Sequence, residues 1–282
     1  MFVTRFAPSP TGYLHLGHAF AAITANEAAG GGRFLLRIED IDSSRCRETF
    51  VEAIFQDLRW LGLSWVEPVL RQSARMEVYG SALDRLTRMG LVYPCFCTRA
   101  ETAAEIAHAG EAPHGPDGPI YPGTCRQLPV EERLSRTRSG GGYALRLDSA
   151  RAAARVGQLF FEEAAGHPPT DFERVRVNPV LFGDVVLARK DTPASYHLAV
   201  VIDDAAQSIT LVTRGRDLLP STHVQRVLQT LLNLPAPKYA HHRLILDEDG
   251  RKLSKREGSA ALRNYRNADL RADEIVAMLQ RA

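Results

Sequence analysis

Apolar and polar positions in the first 90 residues alternate between two repeating patterns. The segments FVTRFA (2–7) and RFLLRIED (33–40) are short apolar runs, which predict buried strands. Three other segments space their apolar residues three and four positions apart, which predicts amphipathic helices over 18–30, 48–63 and 79–90. Strands that alternate with helices are typical of a doubly wound α/β fold, in which helices cover a parallel sheet.

The pattern changes between about residues 93 and 185. Three of the four cysteines, a Pro/Gly-rich loop and the strand-like pieces GYALRLD and GQLFFEE occur there, so we predict an α+β insertion. The α/β pattern returns with VVLARK, YHLAVVIDD, SITLVTR and THVQRVLQTLLN. The predicted units are the first half of the α/β domain (1–92), the insertion (93–185), the second half (186–235) and a polar loop with a short helical tail (236–282).

Composition and charge narrow the possible partners. The formal net charge of the 282-residue chain is only +2, so any nucleic-acid-binding surface must be a local patch. No apolar run reaches the ~20 residues of a membrane span, and the N-terminus lacks the apolar core of a signal peptide. We therefore expect a cytoplasmic protein without a membrane partner, and a monomer. In a reducing compartment, four cysteines favour a metal site over disulfides.

The segment RFAPSPTGYLHLGH (5–18) combines a strand end, a Pro/Gly turn and two histidines at a helix start. Backbone N–H groups and the positive end of the helix dipole attract phosphate at such a position. Imidazole groups there can donate hydrogen bonds to a nucleoside triphosphate, and Gly17 leaves room for a flat adenine ring. Taken alone, the two histidines could also be incidental or form an H-x-x-H metal pair.

Two of the chain's four lysines stand three positions apart near its end, in DEDGRKLSKREGS (247–259). An ammonium group on a flexible stem can follow a triphosphate through an in-line displacement. A solvated charged loop is the alternative interpretation of a bare K-x-x-K.

Together, RFAPSPTGYLHLGH and KLSK resemble the paired signature motifs of the class I aminoacyl-tRNA synthetases, and the first is similar to the glutamyl branch. The resemblance implies a Rossmann-type catalytic domain with a parallel sheet, interrupted by the insertion. It also implies that Lys255 contacts phosphate and that Lys252 supports it. The chain departs from the family's KMSKS wording at Leu253 and Arg256.

The resemblance further implies which residues bind the substrates. The expected catalytic residues are His15, His18 and Lys255. ATP, with Mg²⁺, is expected to contact Pro8, Thr11, Gly12, His15, Gly17, His18, Asp217, Lys252 and Lys255. L-Glutamate is expected to contact Arg5, Phe6, Ala7, Pro8, Ser9, Glu39, Tyr196 and Arg214.

Several of these residues have alternative interpretations when taken singly. Arg5 and Glu39 end the first two predicted strands, where doubly wound folds bind ligands, but they could also pair with each other. Tyr196 could be a core residue. Glutamyl-tRNA synthetases commonly carry an asparagine four residues after this tyrosine; Val200 stands there instead, which implies an altered pocket.

Three cysteines lie close together in the insertion. Cys95, Cys97 and Cys125 suit a tetrahedral structural zinc, although free buried thiols are an alternative. From the residues alone, the fourth ligand could be Tyr121, His114 or Cys46. The order C-x-C followed by Y-x-x-x-C resembles the zinc site of the glutamyl-queuosine tRNA(Asp) synthetases, which implies that the Tyr121 phenolate completes one structural Zn²⁺ site.

The region after the lysines refines the expected function. Only 27 residues follow Lys255, so we expect no anticodon-binding domain. This pattern resembles the glutamyl-Q tRNA(Asp) synthetases, a family that activates glutamate with ATP without tRNA and transfers it to queuosine in the anticodon of tRNA(Asp). Two alternatives stay open: a truncated glutamyl-tRNA synthetase that charges tRNA(Glu), and a non-catalytic RNA-binding paralogue.

Overall fold

A computed structural model describes residues 1–108, 114–189, 192–246 and 261–281. Its strands are β1 (Val3–Phe6), β2 (Arg33–Ile38), β3 (Val66–Arg71), β4 (Val92–Cys95), β5 (His114–Gly115), β6 (Gly118–Pro119), β7 (Ala144–Leu147), β8 (Phe160–Ala164), β9 (Phe172–Arg176), β10 (Val186–Ala188), β11 (Leu211–Gly215) and β12 (Lys238–His242). Its α-helices are α1 (Leu16–Ala28), α2 (Glu48–Trp60), α3 (Met76–Arg88), α4 (Arg99–His108), α5 (Val130–Arg138), α6 (Ser149–Val156), α7 (Tyr196–Ala206), α8 (Ser221–Leu231), α9 (Leu262–Asn267) and α10 (Ala272–Arg281).

Parallel strands from both ends of the chain form the centre of the fold. Strand β2 pairs with β1 and β3, and β12 pairs with β11 and β8, in each case in parallel. The two groups meet between β1 and β11, where the Thr210 N–H donates to the Val3 carbonyl at 3.0 Å. Strand β9 extends the far edge in antiparallel orientation. The carboxyl ends of β1, β2, β11 and β12 therefore point the same way.

Helices cover both faces of these strands. Leu35 packs into a core with residues of α3, α7 and α8, such as Leu86, Leu198 and Leu228. The next residue, Leu36, packs into a second core with α1, α2 and α10. Successive side chains of a strand point to opposite faces, so the continuous apolar run of β2 fits a strand buried on both sides. The predicted α/β class is confirmed.

The insertion has a small antiparallel sheet of its own, in the order β10-β7-β4. Asp184, which is 3% exposed, holds it together. This carboxylate accepts hydrogen bonds from Tyr93 at 2.6 Å, Ser149 Oγ at 2.8 Å and Arg126 at 3.0 Å. A buried carboxylate needs such donors to offset its lost hydration, so Asp184 fixes three segments of the insertion to one another.

The strand pairing differs from the sequence-based boundary near residue 185. Strands β8 and β9, which were assigned to the insertion, pair with β12 in the same sheet as β11. Strand β10, which was expected to resume the α/β domain, pairs with β7 of the insertion. Apolar runs predict that a strand exists, but they do not identify a partner more than 70 residues away. The sequence pattern therefore does not reveal where the chain crosses between the two sheets.

No helix in the part of the chain that the structure describes combines the length and the apolar character needed to span a bilayer.

Candidate functional site

A cavity of about 550 Å³ opens at the carboxyl ends of β1, β2, β11 and β12, the usual ligand position in doubly wound folds. It brings together most of the residues predicted to bind ATP and glutamate: Arg5, Phe6, Ala7, Pro8, Ser9, Thr11, His15, Gly17, His18, Glu39, Tyr196, Arg214 and Asp217. Gly12 is not among the lining residues. Lys252 and Lys255 lie outside the described residues.

The two histidines are held by backbone N–H groups at the start of α1. His15 is the N-cap residue, and its Nδ1 accepts from the Gly17 N–H at 3.1 Å. His18 Nδ1 accepts from the His15 N–H at 3.2 Å. Because both Nδ1 atoms are acceptors, the proton of each neutral ring lies on Nε2, the atom that can donate to an anionic oxygen.

The structure gives a second reason for a glycine at position 17, besides the one predicted from the sequence. A Cβ atom at this position would lie 3.1 Å from Cε1 of the His15 ring. The absence of a side chain thus lets the His15 ring fold over the first turn. Helix α1 has no acidic residue in that turn, so its positive dipole end faces the cavity without an opposing charge of its own.

The described residues on either side of the segment with the two predicted lysines lie close to the cavity or to His15. Ile245, just before it, lines the cavity. Ala261, just after it, forms an antiparallel bridge with His15, and the Leu262 N–H donates to the Leu14 carbonyl at 2.7 Å.

A buried row of charges lies under one end of the cavity. Arg5 Nε donates to Asp204 at 3.1 Å and its Nη1 to the Thr213 carbonyl at 3.1 Å. Arg37, which is fully buried, donates to Asp204 at 2.7 Å and to Glu39 at 3.3 Å. Arg5 and Glu39 thus have separate partners and do not pair with each other.

The environment changes the acidity of both carboxyl groups in this row. Burial would raise the pKa of Asp204, but Arg5 and Arg37 together lower it below its usual value. Burial raises the pKa of Glu39, and the opposing effect of Arg37 is smaller. A cation that entered the cavity beside Glu39 would favour its ionised form, which suits Glu39 to bind an ammonium group.

Arg214, in β11, also lines the cavity. Its guanidinium donates to Thr222 at 2.7 Å, to Gln225 at 2.8 Å, to His241 Nε2 at 3.0 Å and to the Tyr196 hydroxyl at 3.3 Å. The interpretation of Tyr196 as a core residue is incomplete, because its hydroxyl also contacts this guanidinium at the cavity.

Val200 does not line the cavity. It is buried in the core between α7 and the sheet. The departure from the asparagine of the glutamyl branch therefore lies in the packing behind the cavity, and the altered pocket stays a prediction.

Some lining residues were not predicted, among them Phe20, Thr213, His242 and Arg243. A sequence signal exists for the last two, because YAHHR places a histidine pair and an arginine at the end of a strand. Gly215 is also close-packed, since a Cβ atom there would lie 2.5 Å from Asp217 Oδ1. That glycine therefore allows Asp217 to approach the backbone.

The four predicted zinc ligands face one another in the insertion. The sulfur atoms of Cys95, Cys97 and Cys125 lie within 4.8 Å of one another. The Tyr121 hydroxyl lies 3.4 Å from Cys95 Sγ and 3.6 Å from Cys97 Sγ, and it accepts from the Cys125 N–H at 2.9 Å. Cys46 is not part of this cluster, and the side chain of His114 lies outside the described residues.

The donor set and spacing fit zinc. Tetrahedral zinc, with bonds of about 2.3 Å to sulfur and about 2.0 Å to oxygen, separates these ligand atoms by roughly 3.5 Å. The two distances from Tyr121 to sulfur, 3.4 and 3.6 Å, bracket that value. The Arg146 guanidinium lies 3.9 Å from the centre of the Tyr121 ring. Burial raises the pKa of the Tyr121 hydroxyl, so the phenolate form would need a bound cation. The cluster could therefore hold one structural metal ion.

Comparison with known proteins identifies the class. The family described as "tRNA synthetases class I (E and Q), catalytic domain" matches residues 1–282. The glutamate-tRNA synthetase of Elizabethkingia anophelis has a similar structure, with a TM-score of 0.73 and 31% sequence identity over 91% of this chain. The chain belongs to the class I aminoacyl-tRNA synthetases of the glutamate and glutamine branch, and it is a ligase of that class, as the sequence predicted.

Relatives within this branch are more specific. The protein named "Glutamyl-Q tRNA(Asp) synthetase" from Rhodobacter capsulatus is 50% identical over 94% of this chain and 94% of its own length. Three further relatives with that name are 41–44% identical. The "Glutamate--tRNA ligase" of Aquifex aeolicus is 40% identical, but this chain spans only 53% of its length, as it does for the E. anophelis structure. The resemblance to the glutamyl-Q group is confirmed.

Proposed function

We propose that this chain activates L-glutamate with ATP and transfers it to queuosine in the anticodon of tRNA(Asp). The observation that carries the proposal is one cavity lined both by a pair of imidazoles at a helix N-terminus and by an arginine whose hydrogen-bonded neighbours are all neutral. The first arrangement suits a triphosphate and the second suits a carboxylate. The names of the relatives supply the identity of the amino acid and of the acceptor.

In the activation step, a carboxylate oxygen of glutamate attacks the α-phosphorus of ATP. A new oxygen–phosphorus bond forms, the bond to the β-phosphate breaks, and pyrophosphate leaves. Nε2–H groups of His15 and His18 would donate to phosphate oxygens as negative charge shifts onto the leaving group. Lys252 and Lys255 would follow the same phosphates, and Mg²⁺ bound to ATP supplies further charge stabilisation.

The amino acid would lie between Glu39 and Arg214, which line the same cavity. Glu39, with its pKa raised by burial, suits the α-ammonium group of glutamate. Arg214 suits the side-chain carboxylate, because charged hydrogen bonds from arginine to carboxylate are strong and directional. Enzymes of this kind act chiefly by holding the reacting atoms in position, so these two charged residues would orient the substrate.

Transfer needs a route for the acceptor nucleoside. A second cavity of about 790 Å³ shares Ser9, Glu39 and Tyr196 with the first. It also shares Val186 and Arg189 with a third cavity of about 760 Å³ beside the cysteine cluster. A series of cavities from the reacting centre to the insertion supports the idea that an unstacked RNA base reaches the adenylate from that side.

The metal would have a structural role in this scheme. Four protein ligands leave no open position for a catalytic water, so zinc at Cys95, Cys97, Tyr121 and Cys125 would hold the insertion together. Zinc bound there supplies no reacting group.

Two assays test the proposal. ATP–pyrophosphate exchange that depends on glutamate and proceeds without tRNA is the expected result for activation. Labelled glutamate should then appear on queuosine-containing tRNA(Asp) and not on tRNA(Glu). Glutamate on tRNA(Glu) alone would favour a glutamyl-tRNA synthetase core, and no exchange without tRNA would favour that enzyme or a non-catalytic paralogue. The variant Lys255→Ala should abolish most of the exchange, and wild-type exchange in it would refute the phosphate role of Lys255.

A further inference from the structure

Arg214 has almost all of its hydrogen-bond donors engaged by neutral groups. A guanidinium has five N–H donors. Four contacts with Thr222, Gln225, His241 and Tyr196 occupy Nε, both directions of Nη1 and one of Nη2. Within the described ranges, no carboxylate oxygen forms an ion pair with Arg214. The positive charge is thus fixed in orientation and is not neutralised by a direct acidic contact.

His241 connects this guanidinium to a carboxylate. Its Nε2 accepts from Arg214 Nε at 3.0 Å, so the ring proton of the neutral form is on Nδ1. Nδ1 then donates to Glu163 Oε2 at 2.8 Å, and the His241 backbone N–H donates to Glu163 Oε1 at 2.9 Å. Both oxygens of one carboxylate therefore hold the same residue.

The ring stays neutral in this position. Burial lowers the pKa of His241 below its usual value; Glu163 opposes this effect and Arg214 adds to it. A neutral imidazole can accept from Arg214, whereas an imidazolium cannot. Glu163 thus fixes the ring without cancelling the arginine charge.

Arg5 shows the contrasting arrangement in the same cavity. Its Nε donates directly to Asp204 at 3.1 Å, so its charge already has a counter-ion. Of these two cavity arginines, only Arg214 has both a fixed orientation and a charge that a ligand can still neutralise.

We propose that Glu163 and His241 are positioning residues that set the specificity of the cavity for a side-chain carboxylate by holding Arg214 without neutralising it. This inference rests on the proposed function, because it takes glutamate as the amino acid. Neither residue would touch the substrate. Glu163 lies on β8 and His241 on β12, so the parallel pairing of these strands at Tyr239 and Glu163 creates the device.

Steady-state ATP–pyrophosphate exchange tests the inference with variants of nearly equal size. In Glu163→Gln, an NH2 group replaces one of the two oxygens that accept from His241, so the two hydrogen bonds cannot both be kept in place. We expect the KM for glutamate to rise about tenfold, as for loss of one buried hydrogen bond, with kcat and the KM for ATP within about twofold. The matched control is Glu162→Gln, since Glu162 is the neighbouring exposed residue of β8 and contacts Lys238 at 3.5 Å. It should leave all three constants unchanged.

A second pair of variants separates positioning from packing. His241→Gln keeps an acceptor that can reach Arg214 Nε, and His241→Leu removes it. The KM for glutamate should rise more than tenfold in the leucine variant and less than threefold in the glutamine variant. A merely structural role would lower the unfolding temperature of both and raise the KM values for ATP and glutamate equally.

The outcomes are separable from those of the proposed function. If the wild-type protein shows no glutamate-dependent exchange, the proposed function fails. If wild-type exchange is present and Glu163→Gln behaves like Glu162→Gln, the proposed function stands and the positioning role is overturned. Equal KM values in the two His241 variants would overturn it as well, even if Glu163→Gln did not fold.

Discussion

The candidate cavity and the cysteine cluster assemble their side chains in different ways. Arg5 of the cavity and its buried partner Asp204 are 199 positions apart in the chain, and the fold brings them together. The cluster draws all its ligands from residues 95–125. Cavity residues hold one another through hydrogen bonds and ion pairs, whereas the sulfur atoms face one another in an arrangement that could hold a cation. We therefore expect substitutions that impair activation to leave metal binding intact, and the reverse.

The largest effect is expected at Arg214. Arg214→Gln removes a buried charge that four neighbours hold in place, and loss of such a charge in a complex costs roughly 2–5 kcal/mol. We expect kcat/KM for glutamate in pyrophosphate exchange to fall about a thousandfold, which corresponds to about 4 kcal/mol. Zinc content should stay at the wild-type value. Arg155→Gln, an exposed position on α6, is the control and should change neither quantity.

A substitution in the cysteine cluster should have the opposite effect, with zinc lost and activation kept. Cys125→Ala removes one of three sulfur ligands, so bound zinc measured by atomic absorption should fall to near zero and the unfolding temperature should drop. Glutamate-dependent exchange should stay within about threefold of wild type, because distant sites act almost independently. Parallel loss of exchange and zinc in this variant would contradict the separation of the two regions.

A smaller effect is expected at Tyr121. Tyr121→Phe removes the oxygen 3.4 Å from Cys95 Sγ but keeps the ring under Arg146. We expect zinc affinity, measured by competition with a chelator, to fall about 10–100-fold, while the three cysteines still bind. Unchanged affinity would show that a different group supplies the fourth ligand.

The two regions also differ in how much of each can be predicted from the sequence. As expected, one cavity brings together the turn, the two histidines, Arg5 and Arg214. Strand ends and helix starts carry sequence motifs that can be recognised. Glu163 and His241 were missed, since each is an isolated residue whose role depends on the pairing of β8 with β12. The spacing of the cysteines indicates a metal site but does not identify its fourth ligand. Short contacts from the Tyr121 hydroxyl to two sulfur atoms support that residue.

The smallest expected effect is a pH dependence near the cavity. Burial, with a further contribution from Arg214, lowers the pKa of His197 to about 4. The unfolded chain, with a histidine pKa of about 6.5, binds this proton first as the pH falls. The free energy of unfolding should therefore decrease between about pH 6.5 and about pH 4, by about 2 kcal/mol because the ring is partly exposed.

Denaturant unfolding over a pH series measures this effect. His197→Phe removes the titrating group and retains an aromatic ring beside Phe182, so its unfolding free energy should change less over the same interval. Equal pH slopes in the two proteins would show that His197 does not titrate as expected.

The position of Asp204 also constrains the order in which the protein can fold during synthesis. Arg5 and Arg37, whose side chains are 5% and 0% exposed in the finished structure, leave the ribosome some 170–200 residues before this carboxylate. A buried charge without its partner costs several kcal/mol, so β1 and β2 gain little by closing early over their arginines. The pairing of β1 with β2 around Arg5 should therefore gain its full stability only after α7 has been made.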